Sequence, residues 1–238
     1  MLDDDQQEKI VKHYAKHFGM KQKDLIYFPE ENNKGKKIDL FWAKPRKHFP
    51  FNTIATMGLS DYIIRGGSNE YVELMMILPP EWNPSLKEFE NAWQVQFLKK
   101  VAHCIQNENI PVEYGLVFVD NEDGTISPEC EMYAGLVVFP ETYSPKIFSL
   151  KQGHGKVVKF FALTTLTKEE YDKAASKDIF DFIDEDLATD NGTDIFVFNT
   201  RNPRKTAVEK HEEIQKEGRI TEIKDKSGGT KKVIIKKK

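Results

Sequence analysis

Apolar residues recur along this chain in two patterns, one with the period of a helix and one with the period of a strand. At the start of the chain Ile10, Tyr14 and Phe18 fall on one helical face. Gly19 follows this face directly, at the position where a glycine commonly ends a helix. The pattern therefore predicts an amphipathic helix over residues 4–18.

A second helical pattern of apolar residues lies in the middle of the chain. Ser85 and Glu88 have the S-x-x-E spacing of a capping box, in which two side chains satisfy the free amides of a helix start. Trp93 and the apolar residues around it then recur every three or four positions. This pattern predicts a helix over residues 86–106 that packs on a sheet.

Short segments rich in apolar and β-branched residues, bounded by Pro- and Gly-bearing loops, predict the strands of that sheet. They cover residues 38–43, 53–57, 71–78, 116–119, 132–139, 157–166 and 195–198. Thr167 and Glu170 predict a short capped helix, and Asp178 opens another. Strands and helices come in clusters instead of strict alternation, which favours an α+β fold over a doubly wound one.

Charge divides the chain into two parts. The 238 residues carry a formal net charge of -3, but residues 219–238 hold eight basic and two acidic side chains, so residues 1–218 carry -9. We expect a domain over residues 1–204 and a polar, Lys-rich extension over 205–238, either a hairpin or disordered. An acidic body is poorly suited to nucleic acid, so only the basic tail could bind polyanions, and its alternative role is to aid solubility.

Familiar catalytic and metal-binding patterns are missing from the sequence. His13 and His17 share a helix face, but HExxH and an obvious third ligand are lacking. Cys104 and Cys130 form no CxxC pair, and no residue set supplies a nucleophile, a base and an oxyanion donor together. We therefore expect no catalytic residues, no metal and no cofactor.

The N-terminus of the chain and the length of its apolar runs indicate where in the cell the protein is expected. The N-terminus MLDDDQQEKI is acidic and lacks the apolar region of a signal peptide. No apolar run approaches the ~18 residues of a membrane span. Both observations predict a cytoplasmic protein without membrane association.

Two neighbouring features are candidates for a binding or site-shaping role. Gly58, Ser60 and Asp61 form a turn after a strand, and Glu73 lies within an apolar strand, on the face of Tyr71, Met75 and Ile77. A carboxylate in that setting needs hydrogen bonds or a cation, which Arg65, Ser60 or the Gly58 amide could supply. Glu73 is then either a structural cross-brace or a ligand contact. The alternative to a binding role is an enzymatic function, with an acid/base site around Glu73 and Asp61.

In this order, the two features resemble the Suppressor of fused family. The similarity comprises T-x-G-x-S-D at Thr56, Gly58, Ser60 and Asp61, then E-L-x-x-x-L-P from Glu73 to Pro79, Trp82, the helix around Trp93, the segment 160–170, the helix at 179–183 and, more weakly, the segment 194–204. It covers about residues 22–204. The chain departs from the family pattern at Thr164-Thr165, where I-P is more usual. Its polar tail has no counterpart in the family, and the second domain of the animal protein has no counterpart in this chain.

The resemblance implies a mixed, mostly antiparallel sheet with packed helices and a non-enzymatic protein-binding function. The animal member inhibits a zinc-finger transcription factor by holding an extended peptide that adds as a strand. Single-domain bacterial-type members are thought to be immunity or antitoxin-like proteins of polymorphic toxin systems. The expected partner is therefore a protein, either a basic toxin or an extended peptide, which an acidic body would attract.

Overall fold

A mixed sheet dominates the computed structural model. The residues that the structure describes are 4–30, 37–119, 126, 132–140, 143, 145–187, 218–224 and 230–236. The sheet strands are β1 (Ile26–Phe28), β2 (Asp39–Ala43), β3 (Asn52–Met57), β4 (Tyr71–Leu78), β5 (Val117–Val119), β6 (Met132–Val138), β7 (Ser149–Lys151) and β8 (Val157–Thr167). Their order is β1-β2-β3-β4-β8-β6-β5, with β7 also paired to β8.

Strand direction confirms the predicted fold class. Among these strands only β4 and β8 pair in parallel, while the other pairs are antiparallel. Parallel neighbours need a long crossover, and the chain between β4 and β8 supplies it with a helix and three further strands. The result is an α+β fold with a mixed, mostly antiparallel sheet.

Helices cover both faces of the sheet. Their bounds are α1 (Asp4–His17), α2 (Trp93–Glu108), α3 (Lys168–Ser176) and α4 (Ile179–Phe182), and a single π-helical turn (Ile183–Leu187) follows α4. Apolar residues of α1, α3 and α4 pack on one face, and those of α2 pack on the other. Because both faces are covered, β3 and β4 are buried almost throughout. In the described part of the chain, no helix is long and apolar enough to cross a membrane.

The start of the second helix differs from the prediction. Glu88 does accept hydrogen bonds from the amide and hydroxyl of Ser85, but α2 begins only at Trp93. Phe89 is fully buried in an aromatic cluster with Phe28 and both Trp42 and Trp82. That packing holds residues 85–92 in turns and a short 3-10 helix instead of α-helix.

The other elements follow the sequence pattern closely within the described residues. The first helix ends where Gly19 adopts a φ of 65°. Thr167 and Glu170 form a reciprocal capping box at the start of α3, and Asp178 caps α4. The short strands β1 and β7 were not predicted, since three residues are too few to show a period.

Three predictions at the C-terminal end lie partly or wholly outside the described residues. These are the strand at 195–198, the domain boundary between 204 and 205, and the state of the extension over 205–238. In the extension, the backbone of β9 (Gly218–Lys224) pairs antiparallel with β10 (Thr230–Lys236), with Ile220 opposite Ile234.

Candidate functional site

The candidate turn begins where β3 ends. Gly58 adopts a φ of 112°, and a Cβ atom at this position would lie 2.5 Å from the backbone oxygen of Lys37. Only glycine meets both conditions without strain. The chain therefore reverses at Gly58 into a short 3-10 helix, Leu59–Asp61, in which the Ser60 amide points back toward β4.

The carboxylate of Glu73 fills the inside of this turn. Its Oε1 atom accepts hydrogen bonds from the amides of Gly58 and Ser60 at 3.0 Å each and from the Ser60 hydroxyl at 2.7 Å. Its Oε2 atom accepts one from the Thr56 hydroxyl at 2.6 Å. Four donors thus converge on a side chain that is 0% exposed.

The surroundings of Glu73 set its electrostatics. Burial raises the pKa of Glu73, and the hydrogen bonds from Thr56, Ser60 and Gly58 act in the opposite direction. Tyr14 of α1 donates to the backbone oxygen of Thr56 at 2.8 Å. Burial, and then the nearby charge of Glu73, raise the pKa of Tyr14 well above its ordinary value. The buried Glu73 carboxylate and the hydroxyls of Tyr14 and Thr56 thus all have hydrogen-bond partners, as buried polar groups usually do.

Lys156 holds the same turn from outside. Its Nζ atom donates to the backbone oxygen of Ser60 at 2.7 Å and lies 4.4 Å from the centre of the Tyr71 ring. The parallel pairing of Tyr71 with Val158 brings the residue just before β8 to this place. No sequence signal marked Lys156, because its role depends on a strand pairing between distant segments.

The remaining candidate residues are placed differently. Asp61 closes the 3-10 turn, where its amide donates to the backbone oxygen of Gly58. Arg65 is exposed, and its backbone amide and carbonyl bond to the side chain of Asn109. Of the three partners that the sequence suggested for Glu73, Ser60 and the Gly58 amide donate hydrogen bonds to it, and Arg65 is not among the donors in the described residues.

This arrangement favours a brace over a reactive group. Glu73 joins β4 to the turn after β3, and its oxygens are occupied by donors from the chain itself. A general acid or base must reach a proton of the substrate, which a fully buried carboxylate cannot do without a rearrangement. Within the described residues no group of three or more His, Cys, Asp or Glu side chains could hold a metal ion.

The two helix histidines also have packing roles. His13 and His17 lie with ring centroids 4.5 Å apart, and His13 stacks on Phe160. The His13 Nε2 atom contacts the backbone oxygen of Ile147 at 2.8 Å. Burial, followed by the neighbouring His13 and Lys16, lowers the pKa of His17 to about 4.

A second candidate site lies elsewhere on the molecule, where aromatic rings form an open groove of about 560 Å³. We call it the aromatic groove and define it by Tyr114, Phe139, Phe148, Phe161 and Phe180. Four of these rings form a ladder from the interior to the surface, in the order Phe161, Phe139, Tyr114 and Phe180. Successive ring centroids are 6.1, 4.5 and 5.5 Å apart, and neighbouring planes differ by 17 to 24°.

Local structure fixes the outer end of this ladder. Asp178 caps α4 by accepting from the amide of Phe180 at 2.9 Å. Gly115 has a φ of 87°, and a Cβ there would lie 3.0 Å from Ile179, so α4 sits directly on the loop after Tyr114. Phe180 is consequently held in place while its side chain stays 54% exposed. Sequence reasoning noted Asp178 as a cap but missed the groove, whose residues come from five separate segments.

Comparisons with solved structures agree with this fold. A Suppressor of fused homologue from Neisseria gonorrhoeae FA 1090 has a TM-score of 0.56 at 15% identity, over 77% of this chain and 91% of its own. A chain of the crystal structure of the Sufu-Fu complex has a TM-score of 0.57 at 14% identity, over 87% of this chain and 94% of the other. Drosophila Suppressor of Fused has a TM-score of 0.54 at 13% identity, and this chain spans 58% of its length and matches over 92% of its own.

Sequence comparison points the same way. No curated protein matches the chain. The family model described as Suppressor of fused protein matches residues 34–199, a range that contains both the turn at Gly58 and the strand of Glu73. Because this match takes in more than half of the 238 residues, the chain belongs to the Suppressor of fused family.

Proposed function

We propose that this protein is a non-enzymatic module that binds a protein partner and inhibits it by occlusion. The observation that carries the proposal is the sealed carboxylate of Glu73, which serves as a brace in a chain of the Suppressor of fused family. The motif residues thus shape a framework, and a framework of this family was crystallised in a Sufu-Fu complex. Binding a partner needs a surface, not a reactive group.

The surface and charge of the protein suit such a role. The strands at the two ends of the sheet, β1 and β5, are three residues long, and each pairs with one neighbour in the described sheet. Edge strands can accept an extended peptide as an additional strand. Residues 1–218 carry a net charge of -9, which would steer a basic partner toward the protein.

The finer role that we propose is that of a cytoplasmic immunity or antitoxin-like protein. The partner would be a toxin of a polymorphic toxin system, and an acidic inhibitor fits a basic toxin such as a nuclease. Its support is the family resemblance together with the acidic charge of residues 1–218. Occlusion would block the toxin without chemistry on either protein.

Two experiments test the protein-binding function and the immunity role separately. Affinity capture with the full chain, followed by mass spectrometry and a binary binding assay with purified proteins, should yield a specific protein partner. Co-expression with the products of neighbouring genes should then show rescue of growth from one toxic product. Turnover of a small molecule with no protein partner would overturn the binding function, whereas a non-toxic partner would overturn only the immunity role.

A further inference from the structure

We propose that the aromatic groove is the docking site for an arginine side chain of the protein partner. This inference rests on the proposed binding function and adds the chemistry by which the partner is recognised. Planar rings and negative charge meet at the groove and favour a guanidinium group, and the open space leaves room for the partner segment that carries it.

The ring ladder provides a stacking platform. Phe180 is the outermost ring and is 54% exposed, and its inner neighbour Tyr114 lies nearly parallel to it at 5.5 Å. A guanidinium group is planar and weakly hydrated, so it can continue such a stack and interact with the face of the ring. Exposed aromatic rings held by a rigid support are typical anchors of protein interfaces.

One ring of the groove already has a cation of this chain against its face. The Nζ atom of Lys159 lies 4.6 Å from the centre of the Phe148 ring. Lys159 itself does not line the groove, and Phe148 is a different ring from the exposed Phe180. The rings of the groove can thus take a cation against a face, and among the contacts of the described residues none places a cation over Phe180.

Negative charge marks the outer end of the groove. Glu113 is exposed, lines the groove next to Tyr114, and accepts hydrogen bonds from the amide and hydroxyl of Ser68 on Oε1. Asp178 and Asp181 flank Phe180 in the sequence. An arginine could stack on Phe180 while donating to the Glu113 carboxylate, and the two contacts together distinguish it from a neutral or acidic side chain.

The dimensions fit a peptide segment that carries this side chain. A groove of about 560 Å³ falls within the range of ~300–1,000 Å³ that ligand sites occupy. It exceeds the volume of one arginine side chain, so flanking residues of the partner can enter the adjoining groove of about 440 Å³ between Phe139 and Phe148. A partner chain therefore suits the shape better than a free amino acid does.

The test uses the full chain and the peptide acetyl-Gly-Arg-Gly-amide as the probe. Titration followed by NMR should give a dissociation constant on the order of 1 mM, because so few atoms make contact. The shifted amides should cluster at Tyr114, Gly115 and Phe180. The matching citrulline peptide keeps the planar group but lacks the charge, and it should bind at least about fivefold more weakly.

Variants locate the binding to the groove. Phe180→Ala and Glu113→Gln should each weaken the binding of the arginine peptide by about fivefold or more. Phe180→Tyr keeps the ring and should retain binding. Leu86→Ala is the matched control, since Leu86 is another exposed apolar side chain, 61% exposed, and does not line the groove; it should change nothing.

Several outcomes would overturn the inference. Equal binding of the citrulline peptide, or shifts away from Phe180 and Tyr114, would exclude an arginine site. A concentration-dependent dimer that Phe180→Ala abolishes would make a second copy of this chain the occupant. If a captured partner binds equally well to Phe180→Ala and Glu113→Gln, the docking site lies elsewhere and the proposed binding function still stands.

Discussion

Glu73 and Glu113 are both glutamates that accept hydrogen bonds from the amide and the hydroxyl of a serine, yet they belong to opposite kinds of site. Ser60 bonds Glu73 at 3.0 and 2.7 Å in a fully buried setting with two further donors. Ser68 bonds Glu113 at 3.3 and 3.4 Å at the surface, beside open aromatic rings. Four donors of the chain itself surround the first carboxylate, and we propose that it braces the fold, whereas we propose that the second binds a partner.

On this proposal the family motif and the binding surface are separate. Gly58, Ser60 and Glu73 carry the resemblance, and their contacts are with one another. Glu113 lies outside the matched segments, Phe180 lies in the helix at 179–183 that is similar to a family helix, and both line the open groove. Measurements of stability and binding at both regions test whether these roles are separate, and the variants with the largest expected effect come first.

Glu73→Ala should be the most destabilising change. It would leave two amides and two hydroxyls buried without their acceptor, and each such group costs about 1–3 kcal/mol. We expect a loss of about 4 kcal/mol in the free energy of unfolding, measured by urea denaturation. Glu73→Gln keeps an acceptor oxygen and the shape, so it should cost less than half as much. A loss below about 1 kcal/mol for Glu73→Ala would show that this side chain is not the brace.

Gly58→Ala should come next. The added Cβ would force a side-chain residue into a φ of 112° and approach the Lys37 backbone oxygen at 2.5 Å. We expect a loss of about 3 kcal/mol in the same assay. Gly153→Ala is the control, because its Cβ would meet nothing within 4 Å, and its stability should stay within about 1 kcal/mol of the parent. Equal effects at both glycines would contradict the geometry of the turn.

The buried His17 of α1 predicts that the stability of the protein depends on pH. Burial lowers the pKa of His17 from 6.5 to about 4, so below pH 6.5 the unfolded chain takes up a proton that the folded protein does not. Stability should therefore fall as the pH falls from about 6.5 toward 4, by about 1–2 kcal/mol from this residue.

Denaturation at several pH values checks this expectation. His17→Phe should flatten the dependence between pH 6.5 and 4, and burial of His13, which lowers the pKa of that side chain, should sustain the part that remains. His48→Gln, at an exposed histidine, should leave the dependence unchanged. A slope that His17→Phe does not alter would show that this histidine is protonated equally in both states.

Lys156→Met should have the smallest effect among the residues of the brace. It removes the 2.7 Å hydrogen bond from Nζ to the backbone oxygen of Ser60 but keeps an apolar stem beside Tyr71. The expected loss is about 1 kcal/mol, because the side chain is only half-buried and water can replace the ammonium group. The exposed Lys151→Met is the control with no expected change. A larger loss than that of Gly58→Ala would make Lys156, and not Glu73, the centre of the turn.

Two pairs of residues show how far sequence patterns reach. Thr167–Glu170 and Ser85–Glu88 share the capping spacing, and both pairs form hydrogen bonds. Only the first pair begins an α-helix, because burial of Phe89 among Trp42 and Trp82 holds the other segment in turns. The local pattern therefore predicts a hydrogen-bonded turn, while tertiary packing decides whether an α-helix continues from that turn.

The same limit applies to the two sites. The alternation of β4 predicted the face of Glu73, and the need of a buried carboxylate for partners suggested Arg65, Ser60 or the Gly58 amide, of which the last two donate to it. Lys156 reaches the turn through the pairing of β4 with β8, which no local signal reveals. The aromatic groove depends on several such long-range placements at once, and for that reason it emerged only from the structure.

Binding of one captured partner, measured at both regions, separates the brace from the docking surface. Isothermal titration of that partner with the parent chain, Phe180→Ala and Glu73→Gln measures binding once each variant is shown to be folded. We expect at least about tenfold weaker binding for Phe180→Ala, as for an interface anchor, and a change of less than about twofold for Glu73→Gln. Weak binding by folded Glu73→Gln together with full binding by Phe180→Ala would contradict this division of roles.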